Sequence, residues 1–234
     1  MKKRTIALSL VGLAVLSSFL YFVAIPRIGV TGTGTVTVYP DEADLQFSVR
    51  TQNQSAANAA AENGAIMNQV YAALSAMDVN RSEIKTTSYS LSPAYDSFNY
   101  SKVVGYVAVD SVEVTITGSE NLPIVGDIVD AVVKAGVNQV DGISFSFTDS
   151  NYDTLRTEAY HKAVQDAYSQ ASAIVSGLGG VIIGIASVST NYGYGILPPQ
   201  PIVYGGSAES KPTTPISSGL QQVTATVNIT YLYL

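Results

Sequence analysis

The 234-residue chain contains no cysteine. That absence removes disulfides, Cys-ligated zinc, iron–sulfur clusters and thiol catalysis together. Charge is also scarce: charged residues make up 13%, about half the usual share. A disordered polyelectrolyte and a highly charged coiled coil are therefore excluded. Bases are fewest where a polyanion would need them. The 12 bases and 18 acids give a net charge of −6, and four of the bases (Lys2, Lys3, Arg4, Arg27) stand in an acid-free stretch of 28 residues. Residues 29–234 keep eight bases against 18 acids, a net −10. Phosphate contacts need clustered Lys and Arg, so nucleic acid is excluded as a partner. The only histidine is His161. A catalytic triad needs a base, a nucleophile and an orienting group. His161 sits on the polar side of its helix between Tyr160 and Lys162, where an ordinary solvated histidine is expected.

Apolar residues are abundant, at 47%. The bases Lys2, Lys3 and Arg4 precede an uncharged run from Thr5 to Ile25, 21 residues long. At about 1.5 Å per residue such a run matches the ~30 Å hydrocarbon core of a bilayer. It is longer than a signal-peptide core, and no clean Ala-x-Ala follows it. Residues 1–28 are thus expected to be a signal anchor, or a secretory signal if cleavage occurs. The basic flank stays in the cytoplasm and residues 29–234 lie outside, tethered to the membrane. Sequons begin at Asn53, Asn80, Asn99 and Asn228, each a glycan acceptor where the host has the machinery.

The remaining 206 residues carry alternating and helical periodicities in turn. Val30–Tyr39 alternates Thr and Gly with Val, an extended strand whose glycines permit a bulge or close packing. Ala43, Leu45, Phe47 and Val49 mark a second strand. Ser55 to about Met77 is helical, with Asp78-Val79-Asn80 as its exit. Ile84–Leu91 predicts a strand, Ser92–Ser101 a polar hairpin loop, and Val103–Thr117 a long strand. Within that strand the apolar phase changes from Val107 and Val109 to Val112, Val114 and Ile116, which predicts a bulge near Asp110-Ser111. A helix follows from Leu122 to Val133, with Pro123 in its first turn and Gly136 past its end. Ile143, Phe145 and Phe147 mark another strand. The next helix carries Ala159, Ala163, Ala167 and Ala171 along one stripe and closes on Gly177, Gly179 and Gly180. Small residues there imply close approach to a sheet or a second helix. Val181–Ser189 and Val223–Tyr233 are strands, separated by a Tyr/Gly/Pro-rich loop at 191–219.

The order β-β-α-β-β-α-β-α-β-β indicates an α+β fold with mainly antiparallel sheets and three helices packed on them. A weak strand-helix-strand-strand repeat spans 43–117 and 139–234. The motif set resembles the opening and body of the SIMPL domain. It comprises Gly32-x-Gly34, Pro40-Asp41-x-Ala43, Thr86-Thr87, Ser92-Pro93-Ala94-Tyr95, Gly105-Tyr106, Ala135-Gly136-Val137-Asn138, Gly142-Ile143-Ser144-Phe145 and the Ala-rich helix. The resemblance covers nearly all of 30–234. It implies an extracytoplasmic, envelope-associated domain with loose links to stress and no established catalytic residues. The final helix departs from the family pattern in carrying few Arg and Lys.

Chemistry-bearing clusters are few. Asp41, Glu42 and Asp44 crowd after Pro40, where a turn and a solvent-facing strand are expected rather than the six to eight oxygens of a Ca²⁺ site. Asp149-x-Asn151-x-Asp153 begins like a calcium loop but has Thr154 and Tyr160 at the positions reserved for Gly and Glu, so these acids are read as helix N-terminal residues. Gly177-Leu178-Gly179-Gly180 follows a helix instead of opening one, which is wrong for phosphate. No catalytic residue, metal or cofactor is expected. Tyr192, Tyr194 and Tyr204 form a candidate recognition loop. The expected function is non-enzymatic: contacts with an envelope protein or assembly as a homo-oligomer, with binding of a small envelope ligand or glycan by the 191–219 loop as the alternative.

Overall fold

The computed structural model describes residues 25–190 and 214–234. Among the described residues, seven strands and three α-helices follow in the expected order: β1 (Arg27–Val38), β2 (Glu42–Asn53), α1 (Ala56–Ala76), β3 (Ile84–Tyr95), β4 (Val103–Thr117), α2 (Val125–Lys134), β5 (Gln139–Ser146), α3 (Asp149–Gly177), β6 (Ile182–Thr190) and β7 (Gln221–Tyr233). Short 3-10 turns at Arg81–Glu83 and Leu122–Ile124 lead into β3 and α2. The fold is α+β, with two antiparallel sheets in the orders β1-β7-β6 and β3-β4-β2-β5. The chain divides into two compact units.

The first, the Gly–Ala unit, comprises residues 25–37, 153–190 and 222–234 among those described. Its three-stranded sheet is covered by α3. Cross-strand pairs Thr31–Asn228 (Oγ1 donating to Oδ1, 2.6 Å) and Thr35–Thr224 (hydroxyls 3.2 Å apart) fix β1 and β7 as antiparallel. On the helix side, Val223, Ala225, Val227, Ile229 and Tyr231 alternate inward from β7. Val227, Ile229 and Tyr231 meet the fully buried Ala163, Ala167 and Ala171. The glycines of β1 explain this packing. A Cβ on Gly32 would overlap the Ala163 carbonyl oxygen, and one on Gly34 the Ala159 carbonyl oxygen. Neither residue has a positive φ, so glycine is needed here for space, not for backbone conformation. The spacing matches: four residues of helix rise about 6 Å, and two residues of strand about 6.6 Å.

The second, the large-core unit, comprises residues 38–152 and 214–221 among those described. Here α1 packs on β2 and β4 and touches α2. Phe47, Leu45, Leu74, Ile128 and several valines are fully buried between helices and sheet. β2 and β4 pair without interruption from Glu42↔Thr117 to Asn53↔Tyr106. The bulge expected near Asp110-Ser111 is therefore absent from this pairing. The irregularity lies on the neighbouring strand, between Thr86 and Ser88 of β3, where the Thr87 hydroxyl donates to the Ser111 carbonyl (3.1 Å). Val112, Val114 and Ile116 face the core, and the outer half of that face continues with Ala108 and Asp110. The change of phase is thus a carboxylate turned inward rather than an extra residue.

Two further expectations change. β3 runs to Tyr95, so the hairpin loop shortens to 96–102: Pro93 and Ala94 pair with Tyr106 and Gly105. The strand-helix-strand-strand repeat holds as an order but not as a pairing. β2, β3 and β4 share one sheet, whereas β5 joins β2 and leaves β6 and β7 in the other.

Candidate functional site

The acids after Pro40 are used structurally. Asp41 accepts the Thr148 N–H (2.9 Å) and the Thr148 hydroxyl (2.8 Å) at the start of α3. Burial pushes its carboxyl upward, but these bonds and one from Asn151 outweigh it and hold the group below its ordinary value. Glu42 accepts the Ser146 hydroxyl (2.9 Å) and Asp44 the Thr115 hydroxyl (2.8 Å). Each carboxylate is thus engaged by a different hydroxyl. Among the described residues no group of three or more His, Asp or Glu is arranged to hold a metal ion. His161 is exposed on α3. Asp153 pairs with Arg156 (2.9 Å) within the helix.

The sequons fall at varied places. Asn53 ends β2 and Asn99 lies in the exposed hairpin loop. Asn80 follows α1, and Asn228 is tied to Thr31 across the sheet. The recognition-loop tyrosines Tyr192, Tyr194 and Tyr204 lie outside the described residues, as does nearly all of the apolar run from Thr5. Among the described residues no helix is long and apolar enough to cross a membrane.

Two surface features that sequence reasoning did not single out emerge instead. The first is the β3–β4 hairpin. β3 is an edge strand, exposed along almost its whole length. Tyr89, Leu91 and Tyr95 protrude from it, and beyond them Phe98 is 99% and Tyr100 81% exposed. The edge strand β1 offers a contrast. Gln170 donates to the Thr31 carbonyl (3.2 Å), Asp166 accepts the Thr33 N–H (2.9 Å) and Lys162 donates to the Thr35 carbonyl (3.4 Å). Side chains at four-residue steps on α3 thereby close an edge at two-residue steps, matching acceptor to N–H and donor to C=O. The Thr33 N–H and then Gln170 hold the Asp166 carboxyl below its ordinary value. An unpaired edge is a template for another chain. β1 has lost that capacity and β3 keeps it.

The second feature is a cleft of about 500 Å³ at the exit of α1, within the usual span for small-molecule sites. The helix ends in a Schellman motif: Val79 N–H bonds the Leu74 carbonyl (3.1 Å) and Asp78 N–H the Ser75 carbonyl (3.2 Å). Val79 is buried as the hydrophobic member of that motif. Asp78 takes the left-handed position with φ 62°, the only non-glycine among the described residues with positive φ. Glycine is the usual residue there, and a side chain costs roughly 1–2 kcal/mol in that conformation. The Arg81 guanidinium lies 3.8 Å from the centre of the Tyr71 ring, a cation–π stack. Tyr71, Asp78, Asn80, Arg81 and Ile84 all line the cleft. Sequence signals for it existed: an acid just past a helix end, then an Asn-Arg pair. By themselves they mark only the exit of the helix.

Comparison with known proteins places the chain in a family. The SIMPL family, described as "Protein of unknown function (DUF541)", matches residues 28–231. The "26 kDa periplasmic immunogenic protein" of Brucella melitensis biotype 1 is 28% identical over 219 residues, covering 88% of this chain and 84% of that one. The "Uncharacterized protein YggE" of Escherichia coli is 26% identical over 190 residues, covering 81% and 74%. Its namesake in Edwardsiella ictaluri is 23% identical over 199 residues, covering 84% and 81%.

Proposed function

The chain belongs to the SIMPL family, and we propose that it is a membrane-tethered extracytoplasmic protein that acts by protein–protein contact rather than by catalysis, with a second copy of itself as first partner. Two observations support the outward placement. The Brucella relative is periplasmic by name, and the N-terminal apolar run is preceded by Lys2, Lys3 and Arg4.

The observation that carries the assembly reading is the bare edge of β3. Along this twelve-residue strand, whose other side pairs with β4, the alternate backbone groups that point outward have no strand beside them among the described residues, next to Tyr89, Leu91 and Tyr95, and pairing with a partner strand satisfies those groups. A two-fold pairing of β3 edges is self-complementary. With the strand ends aligned, Lys85 of one copy comes opposite Ala94 of the other and beside Asp96. The one charge on the strand then meets an acid and not its twin.

Light scattering on the full chain in detergent micelles tests the reading. A dimer or larger particle is expected, and Tyr89→Lys with Leu91→Lys together should return it to a monomer at an unchanged melting temperature. A parent chain that stays monomeric at high concentration overturns the proposal.

A further inference from the structure

We propose that the cleft at the exit of α1 is a binding site for a small zwitterion, an α-amino acid or a compound carrying the same paired ammonium and carboxylate. The inference does not depend on assembly through β3.

Asp78 stands where two physical rules oppose it. Its backbone is in the left-handed region that glycine occupies without penalty. Its carboxylate also sits at the C-terminal end of a 21-residue helix, next to the negative end of the dipole, where a cation would be favoured. Glycine relieves both problems, and asparagine relieves the second. Asp78 has no compensating partner: among the described residues its side chain makes no hydrogen bond and no ion pair. Strain retained at one residue of a cleft points from the outlier toward a function. A carboxylate backed by the carbonyl end of a helix is a site for an ammonium group.

Arg81 supplies the other half. Its guanidinium is held by the Tyr71 ring and pairs with no carboxylate among the described residues. The nearest acid in the turn, Glu83, is turned away to accept the Asn80 N–H (2.7 Å). A planar guanidinium fixed on an aromatic face and left unpaired is suited to a ligand carboxylate. Opposite charges thus line one cleft without satisfying each other, while Val79 and Ile84 give it an apolar floor for a side chain. A ligand with both charges completes both residues. A simple anion leaves Asp78 uncompensated, and a simple cation leaves Arg81 so.

Calorimetric titration of the full chain in detergent micelles tests this with single α-amino acids from glycine to leucine to arginine, followed by the amine-only and acid-only analogues of the best binder. At least one amino acid should bind, and each analogue should bind at least tenfold more weakly. Asp78→Asn and Arg81→Gln should each weaken binding tenfold or more. Asp78→Gly should abolish binding while melting at or above the parent temperature, which separates lost recognition from lost folding. The proposal is overturned if no amino acid binds, if either analogue binds as well as the zwitterion, or if Asp78→Asn binds like the parent.

Discussion

The two units build the same layers, helix on antiparallel sheet, from opposite materials. In the Gly–Ala unit the strand gives up its side chains at Gly32 and Gly34, and the helix gives up all but one carbon at Ala159, Ala163 and Ala167. Backbone meets backbone, and the polar side chains that flank the contact reach round to close the β1 edge. In the large-core unit Phe47, Leu45, Leu74 and Ile128 fill the space between helix and sheet, and the far strand β3 stays uncovered. The difference teaches that the protected edge is the one a close-packed helix touches: β1 is closed by α3, whereas β6, the other edge of the same sheet, stays exposed. A helix drawn close enough to touch a strand's backbone can cap its edge with Lys, Asp and Gln. In the large-core unit the helices stand off on large side chains and the β3 edge remains for a partner.

The comparison breaks most visibly at its cores. Phe47→Ala removes a fully buried aromatic ring and should cost about 3–5 kcal/mol. Gly34→Ala adds a single carbon that would overlap the Ala159 carbonyl oxygen and crowd the Ala163 nitrogen at 2.5 Å. Both neighbours are backbone, so helix and strand must separate, at about 1–3 kcal/mol or more. Urea denaturation of the two variants followed by circular dichroism measures both. If Gly34→Ala leaves stability unchanged, the close approach does not hold the Gly–Ala unit together.

Much of this architecture was legible. The Gly-x-Gly strand and the alanine stripe each announced close packing, because missing side chains leave a visible pattern. Their mutual fit was not legible, since it needs the register between residues 32–34 and 159–167, more than 120 positions apart. Lys162, Asp166 and Gln170 carried no signal at all: on a helical wheel they are an ordinary solvated face, and only the strand beside them gives them a task. The extent of β3 was missed for a local reason. Ser92-Pro93 looks like a turn, yet proline is tolerated on an edge strand where no partner needs its N–H. The cleft residues were visible but unremarked, because an acid after a helix end becomes notable only once its φ is known.

A smaller effect is expected at Asp41, where the large-core unit secures the end of β5 and the start of α3. Its carboxyl is held below its ordinary value because Thr148 and Asn151 outweigh burial. A lowered folded value means stability that is present above the unfolded pKa and lost as pH falls through the folded one. Asp41→Ala should cost about 1–2 kcal/mol at neutral pH, and the gap from the parent should narrow steadily in acid. Melting curves across the acid range check it, and a pH-independent gap would show that Asp41 acts by packing alone.

The smallest effect tests the phase change in β4. Asp110 faces the core side between Val49 of β2 and Tyr89 of β3, and its Oδ1 is buried without a hydrogen-bond partner among the described residues. Burial raises its pKa, the opposite of Asp41. A raised folded value means that the protonated form is favoured in the fold: its contribution is complete below the unfolded pKa and is lost as pH rises through the folded value. Above the folded value the parent therefore holds an ionised carboxylate in a place that disfavours it. Asp110→Asn keeps the shape, removes the charge and adds a donor, so it should raise the urea midpoint at neutral pH. Its advantage should vanish in acid, where the parent is protonated too. The two aspartates thus run in opposite directions with pH, Asp41→Ala approaching the parent from below and Asp110→Asn from above. Should Asp110→Asn instead destabilise at neutral pH, the inward carboxylate has a partner in solution, and the phase change in β4 marks an interaction and not a tolerated cost.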